Sequence, residues 1–351
     1  MTSRAAGSQL ASRFGLSERV FVGPAARAMA AKIEAGLELV ETQLGEELAS
    51  ADPLVDATSR YLYEAGGKRV RPMLVLLTAQ LGDGATQPVI DAAKALELMH
   101  LGSLYHDDVM DGADRRRGVA AAHQVWGRSV AILTGDLLLS RASTILARNG
   151  VEAMKIQAET FERLVMGQIH ETVGPQPGDD EIGFYLQVLA DKTGSLIAAA
   201  ARAGAFFSGA EKAYREPLRA FGEAVGVSFQ LADDVIDLSD HPDDTGKVPG
   251  TDLRAGVKTM PYLLLQRRED AASLALKNEI DRGVARIEDG ADPAILDGAI
   301  TRLRDHEVTA ETVELSRGYT DRAIAHLEVL PRGAVKQALV KFAESLAVRT
   351  K

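Results

Sequence analysis

Polar and apolar positions alternate along most of this 351-residue chain at intervals of three and four, the period of a helix with one face turned inward. From Ala25 to Leu48 the apolar series Met29, Ile33, Leu37, Val40 and Leu44 predicts a long amphipathic helix. Asp52–Ala65 predicts another, stopped by the breaker pair Gly66-Gly67. Arg69–Leu81 starts again with Pro72 in its first turn, where a missing N–H is tolerated. Further helices are expected over Gln87–Asp111, Gln124–Arg148, Val151–Val173, Glu181–Ser208 and Ala210–Leu238, separated by Asn149-Gly150 and by Gly174-Pro175 with the turn Gln176–Asp179. Asp240–Gly256 reads as the one long irregular loop, and loops of that length usually carry function. Thr259–Lys351 divides into four or five shorter helices, with breaks near Asp289-Gly290, at Asp292-Pro293 and at Pro331. No alternating run marks a strand. The expected fold is all-α, a single bundle of ten or more helices around a central cavity spanning residues 25–351, behind a flexible arm at 1–24.

Composition narrows the chemistry. The formal charge of −10 and the lack of a dominant basic tract argue against nucleic acid as a partner. No cysteine is present, so disulfides and thiolate metal sites are excluded. Met1–Pro24 has Arg4 and Arg13 but no continuous apolar segment, and no stretch reaches about 18 uninterrupted apolar residues. The expectation is a cytoplasmic protein without an integral membrane segment.

The informative stretch lies at the end of the Gln87–Asp111 helix. Leu96, His100, Ser103, Asp107 and Asp111 share one face, with Asp108 beside it. Carboxylates one turn apart repel unless they stay solvated, take up a proton or share a cation, and an all-oxygen set suits Mg²⁺ completed by substrate phosphates. A lone D-D-x-x-D run is weak evidence, but Phe229–Asp237 repeats it as Asp233, Asp234 and Asp237. Two such ends facing each other would require several metal ions and an anionic ligand. Cations are dispersed around these runs. Lys68, Arg69 and Arg71 stand at a helix start, the wrong end for the helix dipole unless an anion is held there. Arg115, Arg116 and Arg117 follow the first acidic run, Lys192 sits inside an apolar helix, and Lys247 and Lys258 follow the second run. Acidic clusters with scattered Lys and Arg imply a metal-bridged polyphosphate, with another phosphate held by cations.

The ordered motifs GGKRVRP (66–72), ELMH (97–100), DDVMD (107–111), RRG (116–118), GQ (167–168), KT (192–193), FQLADDVID (229–237), GK (246–247) and KTMP (258–261) resemble those of the trans-type polyprenyl diphosphate synthases, from about Ala25 to Arg349. The resemblance implies the isoprenoid synthase fold, three Mg²⁺ ions per site replaceable by Mn²⁺, a homodimer, and head-to-tail addition of isopentenyl diphosphate to an allylic diphosphate. It assigns isopentenyl diphosphate binding to Lys68, Arg71, His100 and Arg117, and metal binding to Asp107, Asp108, Asp111, Asp233, Asp234 and Asp237. Arg116, Lys192 and Lys247 match contacts to the allylic diphosphate, Gln168, Thr193 and Gln230 match polar groups lining the site, and Lys258 matches a lysine close to the leaving group. Arg69 receives no role. Gly194 and Met260 stand where many relatives have alanine and leucine.

The difficult step is then rupture of an allylic C–O bond, helped by neutralising the departing diphosphate and keeping water from the carbocation. The diphosphate itself is expected to take the final proton, because no His or Glu base is evident; His100 is a ligand on this reading, against a buried structural histidine. His106 reads as structural, and His170-Glu171 lacks the second histidine of a zinc helix. Met99, Gly102 and Ser103 lie beneath the acidic end. In the resembling family bulky aromatics one turn before the first aspartate shorten the product, so small residues point to a C30–C50 chain, with membrane contact a means of product release. Alternatives are a short-chain synthase, a class I terpene cyclase and a non-catalytic partner subunit. A cyclase has no need of a GGKRVRP-like second diphosphate site, and a silent subunit would show eroded motifs.

Overall fold

The first helix forms where its apolar series predicts: α1 (Pro24–Leu48) buries Met29, Ile33, Leu37, Val40 and Leu44 along one side. The structure, a computed structural model, describes residues 23–239 and 248–347. Most of the expected arm at 1–24, the first half of the 240–256 loop with Lys247, and Arg349 lie outside the described residues. In α2 (Pro53–Glu64) the Asp52 carboxylate accepts the N–H groups of Leu54 at 2.9 Å and Val55 at 3.1 Å, closing the helix start. Then follow α3 (Val70–Thr78), α4 (Gln87–Met110), α5 (Ala122–Trp126), α6 (Arg128–Ala147), α7 (Val151–Val173), α8 (Glu181–Leu189), α9 (Ser195–Phe207) and α10 (Arg215–Asp237). Beyond residue 247 come α11 (Thr251–Arg254), α12 (Met260–Gln266), α13 (Ala271–Glu288), α14 (Asp297–Asp305), α15 (Glu307–His326) and α16 (Ala334–Ala347). The all-α expectation holds, with one exception: Arg115-Arg116 (β1) and Val119-Ala120 (β2) pair as a two-residue antiparallel hairpin, too short to leave a period in the sequence.

Two expected helices are interrupted. The one expected over Gln124–Arg148 breaks into α5 and α6 at Gly127, whose φ of 85° is cheap only for glycine. The one expected over Glu181–Ser208 is divided by a π-helical turn, Ala190–Gly194, a widening that favours functional positions because it disrupts the regular hydrogen-bond ladder.

The chain forms two compact units. The described parts of Met1–Val165, Ser195–Gly222 and His326–Phe342 make the first, and those of Met166–Gly194, Glu223–Ala325 and Ala343–Lys351 the second. In the first unit α4 is central, with every residue from Val89 to Met99 buried. Charges on that stretch must therefore be paired. Lys94 Nζ lies 3.1 Å from Asp91 and 3.3 Å from Glu47, and Glu97 lies 3.2 Å from Arg69. Beside it α6 is long and apolar enough to cross a membrane by length and composition. It is instead a packing helix: a Cβ on Gly102 of α4 would come within 3.0 Å of the Gly135 carbonyl oxygen of α6. In the second unit Leu189, Val227, Leu231 and Met260 form the apolar seat beneath the end of α10.

Close helix contact predicts a mutational cost. A methyl on Gly204 of α9 would overlap the Thr78 hydroxyl and the Val75 carbonyl of α3. Gly204→Ala is expected to destabilise the protein by about 1–3 kcal/mol, seen as a lower denaturant midpoint at unchanged slope.

Candidate functional site

The cationic half of the site belongs to the first unit and starts from unusual backbone. Gly66 and Gly67 have φ of 93° and 145°, and Arg69 is left-handed at 52°. A non-glycine residue held there points to a local constraint, and the side chain supplies it. Arg69 Nε donates to Glu41 at 2.6 Å, Nη1 to Glu97 at 3.2 Å, and Nη2 to the Tyr63 carbonyl at 3.1 Å. The residue without a sequence role is thus the anchor of the loop that presents Lys68 and Arg71. Lys68 is exposed, whereas Arg71 is half-buried and its Nε has no hydrogen-bond partner. Burial, with Arg117 close by, pushes the Arg71 guanidinium down to about 10. Arg117 reaches the same place from the hairpin, again at φ 52°, donating from Nη1 to the carbonyls of Leu62 at 2.7 Å and of Gly66. His100 faces this group, and burial followed by Arg71, Arg117, Arg116 and Arg69 holds its imidazole well below the usual 6.5. Four arginines, one of them Arg71 with an orphaned Nε–H, and a neutral imidazole are chemically suited to an anion.

Of the first acidic trio, Asp107 is half-buried, Asp111 exposed and Asp108 fully buried. Asp108 Oδ1 accepts Arg116 Nε at 2.7 Å and Nη2 at 2.6 Å, while Oδ2 is buried without a partner. Burial raises the Asp108 pKa against the pull of Arg116. The hairpin explains the aim of both arginines, since successive residues at β1 and its turn point one to Asp108 and the next to the Gly66 loop. His106 is structural, as its sequence context implies: Nε2 lies 3.0 Å from the Ile132 carbonyl oxygen and 3.4 Å from Asp136. Below, Met99 is fully buried, and the space beside Gly102 is filled by Leu139, whose Cγ would lie 3.2 Å from a Cβ there. Gly102 therefore serves helix contact, and Ser103, half-buried with its hydroxyl on the His100 carbonyl at 2.9 Å, is the more open of the three.

The second unit carries the other trio. Asp233 and Asp237 are half-buried, and Asp237 Oδ2 accepts the Asp252 N–H at 3.2 Å. Asp234 is buried, with both oxygens engaged by the Tyr185 hydroxyl and Oδ2 also by the Met260 N–H. Burial pushes it up to about 7, with those donors pulling the other way. Lys192 and Thr193 occupy the π-helical turn; Lys192 Nζ is paired with Glu171, a residue set aside at the sequence level as half a zinc motif. The narrow residues at this crossing have a reason, because a Cβ on Gly226 would sit 2.5 Å from Gly194 Cα. Gln168 and Gln230 are half-buried, the Gln168 Oε1 without a partner, and Lys258 is exposed. Tyr185 and Glu171 had no motif to mark them; their signal is only that each polar group faces a charged site residue.

Among the described residues no three carboxylate or imidazole groups are drawn together as a finished metal centre. The donors still fit Mg²⁺: Asp107 and Asp111, and Asp233 and Asp237, offer oxygens one helical turn apart, and Asp108 Oδ2 is an orphaned buried acceptor.

Residues 52–292 match the family model described as polyprenyl synthetase. The chain is 42% identical over 320 residues to nonaprenyl diphosphate synthase of Mycobacterium tuberculosis, covering 90% of this chain and 92% of that one. Polyprenyl synthase from Caulobacter crescentus, solved with calcium and isoprenyl diphosphate, is similar at a TM-score of 0.83 and 30% identity over 92% of this chain and 97% of that one. Geranylgeranyl pyrophosphate synthase from Corynebacterium glutamicum, also solved with calcium and isoprenyl diphosphate, has a TM-score of 0.81 and 37% identity over 94% and 99%.

The cation cluster predicts a titration. With its folded pKa depressed, neutral His100 contributes stability that is present above pH 6.5 and lost as pH falls from there towards the folded value. The His100 imidazole resonance is expected to titrate well below 6.5 in the free protein and to move upward when inorganic pyrophosphate is added; a free-protein pKa at or above 6.5 contradicts the geometry.

Proposed function

From the premise that this chain belongs to the polyprenyl synthetase family, we propose that it is a Mg²⁺-dependent prenyltransferase that condenses isopentenyl diphosphate head-to-tail with an allylic diphosphate to give a long trans-polyprenyl diphosphate. The observation that carries the site reading is the orphaned Arg71 Nε among Arg69, Arg117 and His100. A diphosphate satisfies that donor and relieves the repulsion. Lys68, Arg71, His100 and Arg117 hold isopentenyl diphosphate by charge and hydrogen bonds. Asp107, Asp111 and Asp108 Oδ2 in the first unit, and Asp233 and Asp237 in the second, would each hold Mg²⁺, which when bound would neutralise charge on a diphosphate leaving group. Lys192, once released from Glu171, and Arg116, Lys247 and Lys258 are the cations that the motifs assign to that group. Thr193, Gln168 and Gln230 turn oxygen dipoles towards the allylic cation, and the leaving diphosphate takes the proton lost as the new double bond forms.

Long-chain specificity rests on Ser103 and on the 42% identity to a nonaprenyl diphosphate synthase. The 37% identity to a geranylgeranyl pyrophosphate synthase supports the short-chain reading, and product analysis decides between them. Two copies of the chain form the working enzyme in the cytoplasm. Supporting the pairing of two copies, Phe161, Val165, Ile169 and Val173 recur every four residues along α7, each exposed.

Purified protein given farnesyl and isopentenyl diphosphates with Mg²⁺ is expected to make products longer than twenty-five carbons, and none in EDTA. Product ending at twenty carbons overturns the long-chain reading; no product overturns the activity. Ser103→Phe is expected to shorten the product, while unchanged length removes Ser103 from the path. Val165→Asp is expected to halve the mass in solution by light scattering.

A further inference from the structure

Tyr185 lies on α8, seven residues before Lys192, in no motif the sequence marks. Its hydroxyl is 3.0 Å from Asp234 Oδ1 and 2.9 Å from Oδ2, and Asp234 Oδ2 also accepts the Met260 N–H at 3.1 Å. One buried carboxylate therefore joins three segments of the second unit: α8, which leads into the turn with Lys192 and Thr193; α10, which carries Asp233 and Asp237; and the first residue of α12, two positions after Lys258. Burial and the adjacent Asp234 raise the Tyr185 phenol well above 10, so it remains a donor. The ring is seated against the Leu189, Val227, Leu231 and Met260 cluster, which leaves the hydroxyl as the polar link.

We propose that Tyr185 is a positioning residue of the prenyl-transfer site: by fixing Asp234 it sets the direction in which Asp233 and Asp237 face on α10 and ties the segment carrying Lys258 to them. The inference rests on the function proposed above but makes a physical claim that stands apart from turnover. Without the hydroxyl, Asp234 keeps only the Met260 N–H, the carboxylate can rotate, and the start of α12 loses its fixed acceptor. Isopentenyl diphosphate binding, assigned to the first unit, does not depend on this link.

The test is Tyr185→Phe, which removes one oxygen and keeps the ring. Hydrogen exchange at the Met260 amide is expected to accelerate by about tenfold, the scale of losing one hydrogen bond to a charged group. In kinetics the Mg²⁺ concentration for half-maximal rate is expected to rise severalfold and kcat to fall, with KM for isopentenyl diphosphate within about twofold of wild type. A merely structural role would not separate these constants. Asp234→Asn is the second variant, usable if Phe at 185 prevents folding, and it too is expected to speed Met260 exchange. Unchanged Met260 exchange in a folded variant overturns the proposal, as does a rise in KM for isopentenyl diphosphate equal to the rise in Mg²⁺ requirement. Wild-type protein without synthase activity would remove the functional reading and leave the exchange result to be read separately.

Discussion

A guanidinium buried among other guanidiniums is stable only if something anionic lies close by. Glu97, on the central helix α4, supplies that charge: it is bonded to Arg69 and its field also reaches Arg71 and Arg117. Glu97, with Glu41 also on Arg69, stands against three arginines, which leaves a positive field at His100 that a diphosphate would complete. The rest of the first unit follows from holding this imbalance in place. The left-handed residues Arg69 and Arg117, the glycine pair at 66–67 and the short hairpin are backbone devices that bring the cations together against their repulsion.

The two diphosphates of the reaction meet different electrostatics. On the proposed function, isopentenyl diphosphate must be held but not activated, which fixed cations would do. The allylic diphosphate must accept charge as its C–O bond breaks, which calls for divalent ions and therefore for carboxylates that remain available. The central aspartate of each trio is used inside the protein, Asp108 on Arg116 and Asp234 on Tyr185 and Met260. The outer ones lie one helical turn apart and are less buried. Lys192 is likewise engaged inside the protein, on Glu171.

Periodicity made most of the fold legible, because α1 and α7 bury or expose residues at the intervals their sequences state. The break at Gly127 was not legible, since a single glycine inside an apolar helical pattern looks the same whether its φ is negative or, as here, 85°. The π-helical turn at Lys192 was equally silent: one extra residue in a helix leaves the polar and apolar spacing almost unchanged. At the candidate site, motifs marked the acidic and basic residues, and missed those that hold them. Arg69, Glu97, Glu171 and Tyr185 work through contacts between residues far apart in sequence, and no spacing encodes such a contact. Gly102 shows the opposite error, where a small residue suggested open space that Leu139 in fact fills.

The division between a cation-held and a metal-held diphosphate is most directly tested by calorimetric titration of the intact protein with isopentenyl diphosphate and, separately, with a non-ionising allylic diphosphate analogue, each in EDTA and in Mg²⁺. Isopentenyl diphosphate should bind with closely similar affinity in both buffers, whereas the allylic analogue should bind tightly only when Mg²⁺ is present. Equal dependence of the two ligands on the metal would contradict the account.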